Sequence, residues 1–246
     1  MKNILLTAFF IAISIISYGN GIKTDTLTLF DQARNRAVPL VIYSGTKPGK
    51  KQKLVILNHG YGMPNTAYSS IANNLAAHGY YVVSIQHDLP GDQPIPNTGN
   101  VYETRKPFWD RGVQNILFVI QQLKTRKPGL DYSNIILIGH SYGADIVMLF
   151  AQEHPEAVAK VISLDNRRVP IPRISHPQLF SLRSSDQPAD AGVLPTAEEQ
   201  SKYHIRIVAL PHTIHNDMGD NGTPAQKEEI NKYILEFLKQ EPRSLK

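Results

Sequence analysis

The chain has 246 residues, of which 41% are hydrophobic and 19% are charged. This length and composition predict one globular domain and exclude collagen-like, coiled-coil and multi-span membrane proteins. The chain has no cysteine, which excludes disulfides, thiolate nucleophiles and cysteine-based metal sites. The net charge of +5 is small and is not concentrated in a basic block, so no nucleic-acid partner is predicted.

The first 21 residues have the pattern of a secretory signal peptide. Lys2 gives a positive start, residues 4–16 are almost purely apolar, and small residues follow up to Gly21. A membrane-spanning helix needs about 20 apolar residues, so this stretch is too short to remain as an anchor. We therefore expect cleavage during export, a secreted or periplasmic protein, and a single domain over residues 22–246.

Seven short apolar runs predict β-strands in the mature chain. Most of them are continuous and rich in β-branched residues, as expected where helices cover both faces of a sheet. The runs are residues 38–43, 54–58, 81–86, 135–139, 161–164, 179–182 and 205–210. Their alternation with helical patterns predicts an α/β fold with a mostly parallel central sheet and helices on both faces.

Helical patterns lie between these strands. The segment after Asn65 repeats apolar residues at helical spacing and stops at Gly79. A second helix is expected to begin at Phe108, after a proline-rich loop over residues 89–107. The last helix should begin at Thr223, where a capping box is followed by proline.

A glycine-rich turn, His59-Gly60-Tyr61-Gly62, follows the predicted strand 54–58. Glycine allows the backbone to approach a substrate closely, so the Tyr61 N–H is a candidate donor to a developing oxyanion. By itself, such a turn also fits an ordinary strand connection.

The most informative segment is the sequence Gly139-His140-Ser141-Tyr142-Gly143, which joins a predicted buried strand to a helical run. Side chains at either glycine position would collide in so tight a turn, and the turn raises Ser141 Oγ clear of the sheet. Ser141 is therefore the candidate nucleophile. The N–H of Tyr142, at the start of the following helix, is the candidate second oxyanion donor.

A serine hydroxyl needs a general base, and the base must be oriented by a third group. His215 lies in a loop between the predicted strand 205–210 and the last helix, and we expect it to be the base. His212, in the same loop, is the weaker candidate. A metal site is not expected, because the spacing of the two histidines matches no helical ligand pair and no cysteine could complete the set.

Together these segments resemble the α/β-hydrolase superfamily over essentially the whole mature chain. The match rests on four features in the superfamily's chain order: the turn 59–62, the turn 139–143, Asp186 and His215. The segments 59–68 and 79–83 further resemble the dienelactone-hydrolase and platelet-activating-factor-acetylhydrolase branch. The resemblance implies a serine hydrolase that forms a covalent acyl-enzyme and needs no organic cofactor, but by itself it implies no substrate. Our leading hypothesis is an exported hydrolase of carboxylic esters, with a small-molecule ester as its partner.

The resemblance also bears on the acid of the triad. Asp186 follows the predicted strand 179–182, where most α/β-hydrolases carry their acid, and it is the preferred residue. Asp165 follows the strand 161–164 and is the alternative that the acetylhydrolase branch favours. Asp190 lies further from any strand end and is less favoured.

The connection between these two strands is short and contains several prolines, so no large lid is expected. Asn166, Arg167, Arg168 and Arg173 lie in it and could hold an anionic part of a substrate, although solvated surface arginines are the simpler interpretation. Phe108 and the following Trp109 could line an acyl pocket, although core packing is the simpler role for both.

Other functions remain open on the same sequence. Acyl transfer to an alcohol or a peroxide would use the same site as hydrolysis. A non-catalytic binding protein on a hydrolase scaffold would be expected to lack the serine or the histidine, and both are present here.

Overall fold

The computed structural model describes residues 21–45 and 51–240, so the predicted signal peptide, apart from Gly21, lies outside the described residues. Within them, eight strands form one sheet in the order β1-β2-β4-β3-β5-β6-β7-β8. The strands are β1 (Ile22–Asp31), β2 (Arg36–Gly45), β3 (Lys53–Asn58), β4 (Tyr81–Ile85), β5 (Asp131–His140), β6 (Lys160–Leu164), β7 (Gln178–Arg183) and β8 (Arg206–Ala209).

The six strands β4, β3, β5, β6, β7 and β8 are parallel to one another. At one edge of the sheet, β2 pairs antiparallel with β4 on one side and with β1 on the other. The carboxyl ends of the parallel strands therefore meet at one edge of the sheet. In this register Asn58 lies opposite Gly139, and His140 lies opposite Leu164. The residues that follow β3, β5 and β6 consequently start from neighbouring positions.

All seven predicted strands are present, with bounds within a few residues of those expected. The strand missing from the sequence-based prediction is β1. It pairs with β2 alone and stands at the edge of the sheet, so eight of its ten residues are exposed or only partly buried. Its alternating threonines and apolar residues lack the continuous apolar run that identified the others.

The described residues include five α-helices. They are α1 (Ser69–Ala77), α2 (Val101–Arg126), α3 (Tyr142–Glu153), α4 (Ala197–Tyr203) and α5 (Pro224–Lys239), with short 3₁₀ segments at Pro155–Ala157 and His215–Asp217. The apolar faces of α2 and α3 pack on one side of the sheet, and those of α1 and α5 pack on the other. The sheet with helices on both faces is thus confirmed. No helix among the described residues is long and apolar enough to cross a membrane.

The second helix begins earlier than predicted. We expected it to begin at Phe108, after a proline-rich loop over residues 89–107. In the structure α2 begins at Val101, where the Asn100 side chain accepts a hydrogen bond from the Glu103 N–H, and it includes Pro107. The cap and the packing of the helix outweigh the one backbone hydrogen bond that proline cannot donate.

The other local signals are confirmed. Thr223 and Gln226 form both hydrogen bonds of the capping box at the start of α5, with Pro224 in the first turn. Gly79, just after α1, has a φ of 89°, a conformation that L side chains rarely adopt. The connection between β6 and β7, residues 165–177, contains no helix, as its prolines predicted.

Candidate active site

The turn between β5 and α3 has the strained geometry expected for a nucleophile elbow. Ser141 has a φ of 53° and a ψ of −116°. A Cβ on Gly139 would lie 2.1 Å from the Gly143 carbonyl oxygen, and one on Gly143 would lie 2.2 Å from the Asn58 carbonyl oxygen. No side chain fits at either position. The predicted collision within the turn is confirmed for Gly139, whereas Gly143 is required by its contact with the end of β3.

The side chain of His215 connects Ser141 to a carboxylate. His215 Nε2 lies 3.0 Å from Ser141 Oγ, and Nδ1 lies 2.6 Å from Asp165 Oδ2. An ionised carboxylate only accepts hydrogen bonds, so Nδ1 carries the proton, and Nε2 is left free to accept one from the serine hydroxyl. This is the tautomer that a general base needs.

Asp165 is fully buried and has a positive φ of 65° immediately after β6. Besides His215, its carboxylate accepts hydrogen bonds from Ser184 Oγ at 2.6 Å and contacts Arg183 Nη2 at 2.9 Å. Burial on its own raises the pKa of Asp165, but the bond from His215, the charge of Arg183 and the bond from Ser184 hold that pKa below its usual value. The carboxyl group is therefore kept as an anion beside the imidazole.

The preference for Asp186 as the partner of the imidazole is corrected by this geometry. Asp186 is exposed, and its Oδ1 accepts a hydrogen bond from the backbone N–H of His215 at 2.7 Å, not from the ring. It lies three residues beyond the end of β7, whereas Asp165 directly follows β6, the strand paired with β5. Because Asp165 is one strand closer to the serine, its carboxylate contacts the imidazole ring of His215. Asp186 instead accepts the backbone N–H of His215 and holds the histidine loop in place.

The remaining alternatives lie away from the imidazole contacts. His212 is exposed, and its carbonyl oxygen accepts a hydrogen bond from Gln226. Asp190 is exposed and faces Arg167 at 3.4 Å. In the described part of the chain, no group of three or more His, Cys, Asp or Glu side chains is arranged to hold a metal ion.

The predicted oxyanion donors both belong to backbone beside Ser141. Tyr142 is the first residue of α3, so its N–H has no carbonyl partner within the helix. A Cβ on Gly60 would lie 3.5 Å from Ser141 Cβ, so the backbone at Gly60, directly before Tyr61, lies close to the nucleophile. The Gly60 carbonyl of the Gly60–Tyr61 peptide contacts His59 Nδ1 at 2.7 Å, which fixes the orientation of the peptide plane.

A buried chain of hydrogen bonds, which the sequence did not reveal, links the glycine-rich turn to the histidine loop. Tyr68 Oη accepts from the Gly60 N–H at 3.0 Å and donates to His140 Nδ1 at 2.6 Å. His140 Nε2 in turn donates to the His215 carbonyl oxygen at 3.1 Å. Burial and the adjacent His215 lower the pKa of His140 to about 3, so the ring stays neutral and can both accept and donate.

A second buried network supports the same turn from below. His59 Nε2 accepts from the backbone N–H of His87 at 2.8 Å, and His87 Nε2 contacts Asn58 Oδ1 at 2.9 Å. Asn115 on α2 contacts His87 Nδ1 at 3.3 Å. Burial lowers the pKa of His87 well below its usual value, so its imidazole stays neutral. Nothing in the sequence spacing of these residues points to their contact.

The structure places the aromatic and polar residues that the sequence suggested as substrate contacts in different environments. Trp109 is buried in the hydrophobic core, and Phe108 is half-buried against it. Asn166 is buried and donates to the Val169 carbonyl. The Arg173 guanidinium donates hydrogen bonds to the Glu199 carboxylate and to the backbone carbonyls of Ile171 and Leu194. Trp109, Asn166 and Arg173 therefore have structural contacts.

Comparison with known proteins finds similarity to hydrolases. The model of the family described as serine aminopeptidase, S33, matches residues 49–164. The platelet-activating factor acetylhydrolase of Cavia porcellus is 27% identical over 229 residues, which cover 74% of this chain and 52% of that protein. The chain thus spans about half the length of this curated relative.

Solved structures extend the similarity to the full fold. A ferulic acid esterase from Streptomyces cinnamoneus superposes with a TM-score of 0.65 at 18% identity, covering 94% of this chain and 93% of that one. A protein from Klebsiella pneumoniae described as a dienelactone hydrolase superposes with a TM-score of 0.62 at 14% identity, covering 90% of this chain and 100% of the other. At these identities the likeness concerns the fold.

Proposed function

We propose that this chain, which belongs to the α/β-hydrolase superfamily, is an exported serine hydrolase that cleaves carboxylic esters with Ser141, His215 and Asp165 as its catalytic triad. The observation that carries the proposal is the double contact of His215, with Ser141 Oγ at 3.0 Å and Asp165 Oδ2 at 2.6 Å. Serine and base are thus within hydrogen-bond distance, and the base is held by a buried carboxylate.

The first half of the reaction follows from this geometry. Ser141 Oγ attacks the ester carbonyl while His215 Nε2 takes the hydroxyl proton. The imidazolium that forms is stabilised by the anionic Asp165. The tetrahedral intermediate then collapses, His215 returns the proton to the departing alcohol oxygen, and the acyl group remains bonded to Ser141.

The second half releases the acid. A water molecule gives a proton to His215 Nε2 and attacks the acyl carbonyl, and the protonated histidine restores the serine hydroxyl as the carboxylic acid leaves. In both halves, negative charge develops on the carbonyl oxygen. The N–H groups of Tyr61 and Tyr142 are the proposed donors to that oxygen, since each belongs to backbone that lies against Ser141.

The comparisons support the class of reaction. The relative from Cavia porcellus is named for removal of an acetyl group from platelet-activating factor, and the Streptomyces cinnamoneus structure is named as an esterase of ferulic acid. Cleavage of a carboxylic ester is common to both names. We extend to this chain only that shared class, with a small-molecule ester as substrate.

Covalent labelling tests the proposal directly. A fluorophosphonate probe should label the purified protein at Ser141, because an activated serine oxygen attacks the phosphorus, displaces fluoride and is left as a phosphonyl ester. Ser141→Ala should remain unlabelled, whereas Ser201→Ala, which changes an exposed serine on α4, should label like the unmodified protein. Mass spectrometry of the labelled peptide identifies the site. An unlabelled native protein with a folded circular-dichroism spectrum would support a non-catalytic binding function instead.

Export is the second part of the proposal. The apolar stretch 4–16 is too short for an anchor and is followed by small residues suited to signal peptidase. Mass spectrometry of protein expressed in a bacterial host should find a mature terminus near Asn20 or Ile22. Leu6→Arg, which interrupts the apolar stretch, should retain the protein in the cytoplasm. Recovery of an intact Met1 terminus outside the cytoplasm would contradict cleavage.

A further inference from the structure

Two separate segments that carry arginines are held near the nucleophile elbow. The backbone N–H groups of Arg167 and Arg168 donate to Oδ1 of the buried Asp145, at 3.2 and 2.9 Å. The Asp145 N–H donates to the Ser141 carbonyl oxygen at 2.9 Å in the first turn of α3. The β6–β7 connection is thereby held about one helical turn from Ser141.

Arg105 reaches the same region from α2. Tyr142, which directly follows Ser141, donates its hydroxyl to the Phe108 carbonyl at 3.0 Å, one turn beyond Arg105. The Arg105 guanidinium donates to the Pro96 carbonyl at 2.8 Å, in a loop that also contacts the Tyr61 hydroxyl through the Ile95 N–H. Arg105 is therefore fixed near the glycine-rich turn and the start of α3.

These arginines differ from the others in their partners. Most partly or fully buried arginines of the described chain contact a carboxylate: Arg34 with Asp31, Arg36 with Asp92, Arg111 with Asp88, Arg173 with Glu199 and Arg183 with Asp165. Among the described residues, neither Arg105 nor Arg168 forms an ion pair. Arg168 Nε is shielded from solvent and has no hydrogen-bond partner there. The acceptors of Arg105 are a carbonyl and the amide oxygen of Asn97.

The positive charges also act on one another. Burial lowers the pKa of Arg105, and the charges of Arg168 and Arg167 lower it further, against the opposing effect of Asp145 and Asp190. Asp190 is already paired with Arg167, and Asp145 Oδ1 is occupied by backbone N–H groups. Asp145 and Asp190 therefore offset only part of this positive charge. Holding partly desolvated guanidinium groups together without an ion pair for Arg105 or Arg168 costs free energy, and a bound oxyanion would recover part of it.

We propose that Arg105 and Arg168, assisted by Arg167, form an anion-binding subsite that selects ester substrates bearing a carboxylate or a phosphate next to the scissile bond. This inference rests on the proposed esterase function and adds the charge of the substrate to it. Guanidinium groups suit both anions, because their planar N–H donors match paired oxygens.

Matched ester pairs test the subsite. The neutral p-nitrophenyl butyrate is compared with the mono-p-nitrophenyl ester of glutaric acid, and phenyl acetate is compared with 4-acetoxybenzoate and 4-acetoxyphenyl phosphate. We expect kcat/KM to favour the anionic member of at least one pair by about tenfold or more, the effect of one charge-assisted hydrogen bond. Which pair responds distinguishes an anion on the acyl side from one on the alcohol side, and a carboxylate from a phosphate.

Variants then assign the preference to the arginines. Arg105→Gln and Arg168→Gln should each reduce the ratio of anionic to neutral kcat/KM by about tenfold, whereas Arg168→Lys should retain part of it. The control Arg206→Gln removes a guanidinium paired with Glu236 and should leave the ratio unchanged. Equal use of anionic and neutral esters by the unmodified protein, or an unchanged ratio in both Gln variants, would overturn the subsite. Inactivity on every ester, neutral ones included, would instead overturn the esterase function.

Discussion

Ser141→Ala should abolish ester hydrolysis while leaving the fold intact. The loss in kcat should be about 10⁶-fold, which is typical for removal of a serine nucleophile, because no neighbouring group can form the acyl-enzyme in its place. The change removes one oxygen atom and adds none, so the tight elbow between Gly139 and Gly143 accommodates it. Turnover of p-nitrophenyl butyrate by purified protein measures the effect.

Stability should change little in this variant. Ser141 precedes α3, but its side chain makes no capping hydrogen bond to that helix, so alanine removes no cap. The lost contact is the one to His215 Nε2. The melting temperature should therefore stay close to that of the unmodified protein. A folded Ser141→Ala protein that kept about a tenth of the activity would exclude Ser141 as the nucleophile.

Asp165→Asn should reduce kcat by about 10⁴-fold, whereas the matched change Asp186→Asn should leave kcat near its original value. An amide at position 165 can donate to the imidazole and favour the wrong tautomer, and it cannot stabilise the imidazolium. Asparagine at position 186 keeps an oxygen that can accept the His215 backbone N–H. Steady-state kinetics of the two variants, measured side by side, make the comparison.

The two variants should also differ in stability. Asp165→Asn leaves the buried guanidinium of Arg183 without its carboxylate partner, which should cost about 1–3 kcal/mol of the free energy of unfolding. Kinetics should therefore be measured well below the melting temperature of that variant. Severe loss of rate in Asp186→Asn with Asp165→Asn near the original rate would reverse the assignment of the acid.

Local sequence was enough to predict the elbow. Its pattern lies within five consecutive residues, and Gly139 is required by a contact inside the turn itself. Gly143 is required by the backbone at the end of β3, but it too leaves its mark in the same short segment. The same holds for the cap at Thr223 and for the continuous apolar strands. Such features depend on short-range sterics or on burial of a whole segment, and both leave a direct pattern in the sequence.

The sequence did not predict strand β1 or the true start of α2, and the reasons are related. An edge strand is buried on fewer sides, so its sequence is only weakly constrained to be apolar. Pro107 is a local signal against helix that the packing of a long helix overrides. In both cases the surroundings of the segment, and not the segment, decided its conformation.

The sequence by itself determined the fold class, the nucleophile candidate and the histidine that reaches it. It left Asp165 and Asp186 nearly equivalent, since each follows an apolar strand. Only the order of strands in the sheet decided between them, because it puts β6 next to the strand that carries Ser141. The buried histidine networks likewise connect residues that are far apart in the chain, and Arg105 is far in sequence from Arg167 and Arg168. Such neighbours meet only once the chain has folded.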